Sequence, residues 1–138
     1  MTLMSGVTAV AVGGRGILIE GPPGSGKSSL ALALIDRGAV LIGDDGVQLT
    51  LLEKRLFASP PPNIAGLIEV RNLGLLSVPV CSEVPLALVL RLTPAAPRFI
   101  EQPEQVDIAG ASIPLIAIWA DGPIAALKAE LALQHYGL

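Results

Sequence analysis

The sequence predicts an α/β domain with a mixed β-sheet, an N-terminal β-hairpin and flanking helices. Three observations predict it. Two β-rich runs, VTAVAV (7–12) and GILIE (16–20), are joined by Gly13-Gly14-Arg15, a short glycine turn suited to a hairpin. The second run leads into a glycine-rich loop and then a helix-forming stretch from about Lys27 to Arg37. A further β-run, AVLIG (39–43), follows at once, so strand, helix and strand succeed one another as in α/β folds.

Each later element has its own signal. The helix should stop at Gly38, the residue type favoured just past a helix end, with Arg37 well placed against the negative end of the helix dipole. Leu30, Ala31, Leu34 and Ile35 form an apolar stripe that Leu32 and Ala33 extend nearly all round, which predicts a helix buried against the sheet. VQLTLL (47–52) resumes the β pattern after Asp44-Asp45-Gly46, and SPPP (59–62) breaks it. GLIEVRNLGLLSV (66–78) reads as strand, turn, strand. PLALVLRL (85–92) reads as a continuously buried strand, and TPAAPRFIEQPEQ (93–105) as a proline-punctuated loop. Short strands within 106–119 and a helix over about 123–135, with Pro123 in its first turn, close the chain.

The bulk properties exclude several function classes. A length of 138 residues is that of one domain, expected to span 1–138 without a linker or internal repeat. With 51% hydrophobic and 15% charged residues, the chain is built to bury a core rather than to stay disordered. Apolar runs are interrupted by Pro85, Arg91 and Pro114 before they could span a bilayer, and MTLMSGVTAV lacks the basic start of a signal peptide, so no membrane association is expected. Nine basic against twelve acidic residues, with 3% aromatics, argue against a nucleic-acid partner. A lone cysteine, Cys81, cannot form an internal disulfide; it reads as a small buried hydrophobe and suits a reduced cytoplasm. His135 reads as a surface histidine on the last helix.

The chemistry concentrates in GPPGSGKSS. Gly21, Pro22, Pro23, Gly24, Ser25, Gly26, Lys27, Ser28 and Ser29 contain the pattern G-x-x-x-x-G-K-[ST] between a strand and a helix. Glycines let backbone N–H groups turn inward around phosphate oxygens, and the helix N-terminus adds aligned donors. Lys27 would neutralise the β- and γ-phosphates of a nucleotide, and the Ser28 hydroxyl would ligate Mg²⁺. One helix later come Asp44 and Asp45, at the end of a strand expected beside the phosphate-loop strand. Two carboxylates there can hold Mg²⁺ or take a proton from an attacking hydroxyl. Adjacent residues on an extended chain point opposite ways, so the pair should not share one role. Asp-Asp-Gly is also a good turn sequence. Leu67, Glu69 and Arg71 should share one face of their strand, with Arg71 a candidate phosphate or acidic-partner contact.

Together, GPPGSGKSSLALALIDRGAVLIGDD and LIEVRNLGLL resemble the catalytic domain of HPr kinase/phosphorylase, over about residues 7–78. The length is similar to the truncated forms of that family found in alphaproteobacteria. The resemblance implies a phosphate-loop kinase core of the HPr kinase/PEP carboxykinase type, ATP and Mg²⁺ as cofactors, and transfer of the γ-phosphoryl group to a serine of HPr or a nitrogen-branch relative. It also implies assembly into homo-oligomers, commonly hexamers. Carried over by position, Lys27 and the loop bind phosphate, and Asp44 is the general base. Asp45 supports the base or the metal, Ser28 and Glu69 are Mg²⁺ ligands, and Arg71 neighbours Glu69 in the signature. Three positions depart from the family pattern. Gly6 stands where the family has a histidine that steers the base, Asn72 stands where the signature has glycine, and 113–123 lacks a basic segment. The first and third weigh against the reverse, phosphoserine-removing activity. The alternatives are a nucleotide-binding regulatory module without catalysis and, with less support, a small-molecule kinase, which generally needs an arginine-bearing lid.

Overall fold

A computed structural model describes residues 1–120 and 122–138. In chain order the elements are β1 (Thr2–Ser5), β2 (Thr8–Val12), β3 (Arg15–Glu20), α1 (Lys27–Asp36), β4 (Val40–Gly43), β5 (Gly46–Leu52), β6 (Arg55–Ser59), β7 (Leu67–Val70), β8 (Gly74–Ser77), β9 (Val84–Leu92), β10 (Glu104–Ile108), β11 (Ala111–Ile118) and α2 (Ala125–Tyr136). Nine of the strands form one mixed sheet in the order β1-β5-β6-β9-β3-β2-β4, with β11 also on β9 and β10 on β11; β7 and β8 pair apart from it.

The long strand β9 organises the sheet. It lies parallel to β3 along most of its length; on its other side it is antiparallel to β6 near its start and parallel to β11 near its end. Having neighbours on both edges and cores on both faces, it needs the apolar run that the sequence carries from Leu86 to Leu90, and Arg91 near its end is exposed. Alternation then sorts β3: Ile17 and Ile19 pack with Leu30 and Leu34 of α1 and Leu133 of α2, whereas Leu18 points to the opposite core with Leu49, Leu56 and Leu115.

The hairpin β2–β3 forms as expected, with Gly13 and Gly14 both at positive φ. Helix α1 ends in a Schellman motif: Gly38, at φ 109°, donates its N–H to the Ile35 carbonyl, and Ala39 donates to that of Leu34. Arg37, at the helix end, bonds to Glu130 of α2 at 2.8 Å. The helix is not buried all round. Leu30, Ala31 and Leu34 are enclosed, but Leu32 and Ala33 are exposed, because a turn of 100° per residue carries them off the only face that meets the sheet.

Four other expectations are corrected. The strand after α1 does not lie beside the phosphate-loop strand: β2 is inserted between them, antiparallel to both β3 and β4. Strands β1 and β6 were not foreseen. Strand β6 follows a two-residue turn at Glu53-Lys54, whose φ angles of 51° and 66° belong to a turn type usually signalled by Asn or Gly. Helix α2 starts at Ala125, its first i→i−4 bond running from Lys128 to the Ile124 carbonyl, so Pro123 precedes the helix rather than opening it. Strand β10 begins at Glu104, inside the expected loop.

Candidate functional site

The loop between β3 and α1 is shaped by its glycines. Gly24 and Gly26 adopt φ of 82° and 100°, and a Cβ on Gly21 would sit 2.5 Å from the Ser25 hydroxyl. Ser25 closes a turn by donating its N–H to the Pro22 carbonyl at 3.1 Å. Its hydroxyl oxygen, among the described residues, is the buried side-chain polar atom without a hydrogen-bond partner. The Lys27 ammonium folds back over the loop and donates to the carbonyls of Gly21, at 2.7 Å, and Pro22, at 3.1 Å. An ammonium held by backbone carbonyls over a bend of glycines, next to the positive end of α1, forms a cradle for a polyanion.

The turn from β4 to β5 supplies the carboxylates. A Cβ on Gly43 would collide with the Gly46 carbonyl, and Asp45 takes the left-handed φ of 59°. The Asp-Asp-Gly stretch is thus both a turn and part of the site. The pair lies beyond the end of β4 in a turn, not on the extended chain expected, and the two residues differ in burial. Asp44 is buried, with 9% of its surface exposed, and accepts three hydrogen bonds. Its Oδ1 receives the hydroxyls of Ser28 at 2.7 Å and Thr8 at 2.9 Å, and its Oδ2 receives the Glu69 backbone N–H at 2.9 Å. Asp45 is exposed, and its carbonyl accepts the Gly6 N–H at 3.1 Å. Among the described residues its carboxylate has no hydrogen bond.

Hairpin β7–β8 faces this turn. Leu67 and Glu69 lie on its exposed side while Ile68 is fully buried, and the turn at 71–73 closes by donation from Leu73 N–H to the Val70 carbonyl. Asn72 sits there at φ 75°, a left-handed position that glycine fills freely and asparagine tolerates better than most residues.

A cleft of about 400 Å³ joins these parts. It is bordered by the loop at Pro23, Gly24, Gly26, Lys27, Ser28 and Ser29, by Asp44 and Asp45, and by Glu69, Arg71 and Thr8. Gly21, Pro22 and Ser25 shape the loop without bordering the cleft. Thr8 was not singled out, since a threonine in a β-run carries no sign distinguishing it from an ordinary strand former. Among the described residues no three His, Cys, Asp or Glu side chains converge into a cage for a cation. Ser28 and Asp44 nevertheless offer adjacent hard oxygen donors, which suits Mg²⁺, an ion that keeps several waters and takes its remaining ligands from phosphates. Cys81 is half-buried at the edge of the core, and burial pushes its thiol above the usual range. His135 is exposed on α2. A second groove, about 450 Å³, lies between Phe99, Trp119 and α2, and neither the glycine loop nor the aspartates reach it.

The family model described as "HPr Serine kinase C-terminal domain" matches residues 1–118. The chain belongs to this family. Among curated relatives, HPr kinase/phosphorylase of Clostridium tetani is 49% identical over 70 residues, which cover 51% of this chain and 23% of the relative. The protein of the same name from Clostridium acetobutylicum is 42% identical over 86 residues, covering 57% of this chain and 28% of the relative. The chain thus spans about a quarter of the length of the curated relatives it matches. The solved HPr(Ser) kinase/phosphatase of Coxiella burnetii superposes with a TM-score of 0.85 at 25% identity, covering 97% of this chain and 89% of that one. The HPr kinase fold expected from the loop and LIEVRNLG is therefore the fold observed.

Proposed function

We propose that residues 1–138 act as one catalytic domain, an ATP-dependent kinase that phosphorylates a serine of HPr or a nitrogen-branch relative. The observation that carries this is the cleft itself. The phosphate cradle, a buried aspartate bonded to Ser28, and an exposed aspartate with an unengaged carboxylate open into one space. Backbone N–H groups of the loop and of the first turn of α1 would hold the phosphates. Lys27 would exchange the Gly21 and Pro22 carbonyls for β- and γ-phosphate oxygens. Ser28 and Asp44 would hold Mg²⁺, which when bound neutralises charge on the phosphoryl oxygens, and Glu69 would complete its outer coordination. Asp45 would take the proton of the attacking serine hydroxyl as that oxygen bonds to the γ-phosphorus and the bond to the bridging oxygen breaks. Arg71, across the cleft, would offset the remaining phosphate charge.

This assignment exchanges two roles. The family resemblance implies the base at Asp44 and a supporting or metal role at Asp45. The geometry supports the reverse, because Asp44 accepts three hydrogen bonds whereas, among the described residues, the Asp45 carboxylate accepts none. The reverse reaction is proposed to be weak: Gly6, whose N–H meets the Asp45 carbonyl, brings no side chain to the base. No described helix is long and apolar enough to cross a membrane. A cytoplasmic setting and homo-oligomeric assembly complete the proposal.

Incubating the protein with ATP, Mg²⁺ and HPr, followed by mass spectrometry, tests it. Phosphoserine on HPr that disappears with Lys27→Ala is expected. No transfer by the wild type, or undiminished transfer by Lys27→Ala, would sink the proposal and favour a nucleotide-binding module without catalysis.

A further inference from the structure

Two polar side chains are buried among the described residues, Thr8 at 0% and Asp44 at 9% exposure, and they are bonded to each other. Thr8 opens β2 opposite Ile19 of β3. On the other side the register between β2 and β4 shifts between Ala9 and Val10, an irregularity of the kind that re-aims side chains near functional sites. At that end of the sheet the Thr8 hydroxyl donates to Asp44 Oδ1, the oxygen that also receives Ser28.

Valine has nearly the shape of threonine and is at least as good a strand former, so packing alone does not call for a hydroxyl here. A buried hydroxyl is costly unless it is bonded, and its described partner is the carboxylate. With Glu69 N–H on Oδ2 and Thr8 on Oδ1, the plane of the carboxylate is fixed from two sides. Ser28 can then direct its proton to Oδ1 while its lone pairs remain open toward the cleft.

We propose that Thr8 is a positioning residue, whose hydroxyl holds Asp44 in the orientation in which Asp44 and Ser28 together accept a divalent cation arriving with a nucleotide. This inference rests on the nucleotide-and-cation reading above. Groups that orient metal ligands typically alter metal affinity by roughly 10- to 100-fold when removed.

The test measures Mn²⁺ bound in the presence of ADP by electron paramagnetic resonance, together with ADP affinity in EDTA. Thr8→Val should weaken Mn²⁺ binding by roughly 10- to 100-fold and leave metal-free ADP affinity unchanged, and Thr8→Ser should restore Mn²⁺ binding. A purely structural role would lower both affinities or neither. Wild-type Mn²⁺ affinity in Thr8→Val overturns the assignment. Should Thr8→Val fail to fold, Thr8→Ser decides: the donor is retained, so loss of Mn²⁺ affinity in folded Thr8→Ser overturns it. The underlying reading has its own control. If ADP affinity in EDTA is absent, or is unaffected by Lys27→Ala, the phosphate cradle itself is misread and the Thr8 assignment falls with it. If that control behaves and Thr8→Val matches wild type, the assignment alone fails.

Discussion

Substituting the two adjacent aspartates separately should give two different failures. Asp44→Ala removes three acceptor contacts at once, those to Thr8, Ser28 and the Glu69 N–H. Ser28 is only part-buried and Glu69 is exposed, so their donors can reach water, but Thr8 is fully enclosed. Stranding a buried hydroxyl costs about 1–3 kcal/mol. With an unfolding entropy of about 2.1 cal/mol/K per residue, a chain of 138 residues loses about 3 °C of Tm per kcal/mol. Asp44→Ala should therefore melt about 3–10 °C lower and also lose the enhancement of nucleotide binding by Mg²⁺. Asp45→Asn should do neither. Its side chain is exposed, and asparagine accepts the left-handed φ of 59°. The Tm should move by less than about 2 °C, with Mg²⁺-nucleotide affinity kept, while phosphorylation of HPr slows by roughly 10²–10⁴ through loss of the proton acceptor. Differential scanning fluorimetry and a steady-state transfer assay read both quantities. Wild-type turnover by Asp45→Asn, or an unchanged Tm for Asp44→Ala, would refute the division of roles.

Three further outcomes are expected. Gly43→Ala should lower Tm by the equivalent of about 1–3 kcal/mol, because the new Cβ meets the Gly46 carbonyl and lies 3.0 Å from Pro61; the displaced turn should also slow transfer to HPr. Leu34→Ala, at a fully buried position, should cost about 2–5 kcal/mol, whereas Leu32→Ala on the exposed face of α1 should stay within about 0.5 kcal/mol; denaturant titration separates them. Burial raises the Cys81 thiol above its unfolded value of about 8.5, so iodoacetamide should label it more slowly at pH 8 than an unstructured cysteine peptide. The sign for stability follows: the contribution is fully present below about pH 8.5 and is lost as pH rises through the folded value, which melts of wild type and Cys81→Ala across pH 7–10 would reveal.

What could be read from the sequence was what neighbouring residues decide together. The glycine loop, the stop at Gly38 and the turn at Gly13-Gly14 each depend on local backbone freedom, and each is found. The run at 85–92 announced a strand buried on both faces, which β9 is. Pairing across distance was not legible. Nothing near Gly16 says that its strand will lie beside Leu86, and nothing in AVLIG says that β2 will come between it and β3. The same limit hid Thr8, whose hydrogen-bond partner is a carboxylate 36 residues away. Nor does alternation along a chain say which of two neighbouring aspartates is turned inward.

The inserted strand decides which residues reach the site. Strands β3 and β4 run parallel and, were they adjacent, would stand about 4.8 Å apart. With β2 between them the separation doubles to roughly 10 Å. Because β2 runs antiparallel, its start, not its end, fills that gap, so the first residues of the hairpin are delivered to the cleft. Thr8 uses this position to hold the inward aspartate. Gly6, two residues earlier, meets the backbone of the outward one with no side chain, and a Cβ there would find nothing within 4 Å. One strand start therefore touches both aspartates, Asp44 through its carboxylate and Asp45 through its backbone carbonyl. On the proposed assignment, residue 8 would bear on cation binding and residue 6 on what surrounds Asp45, so the two could vary independently while the phosphate loop stays as it is.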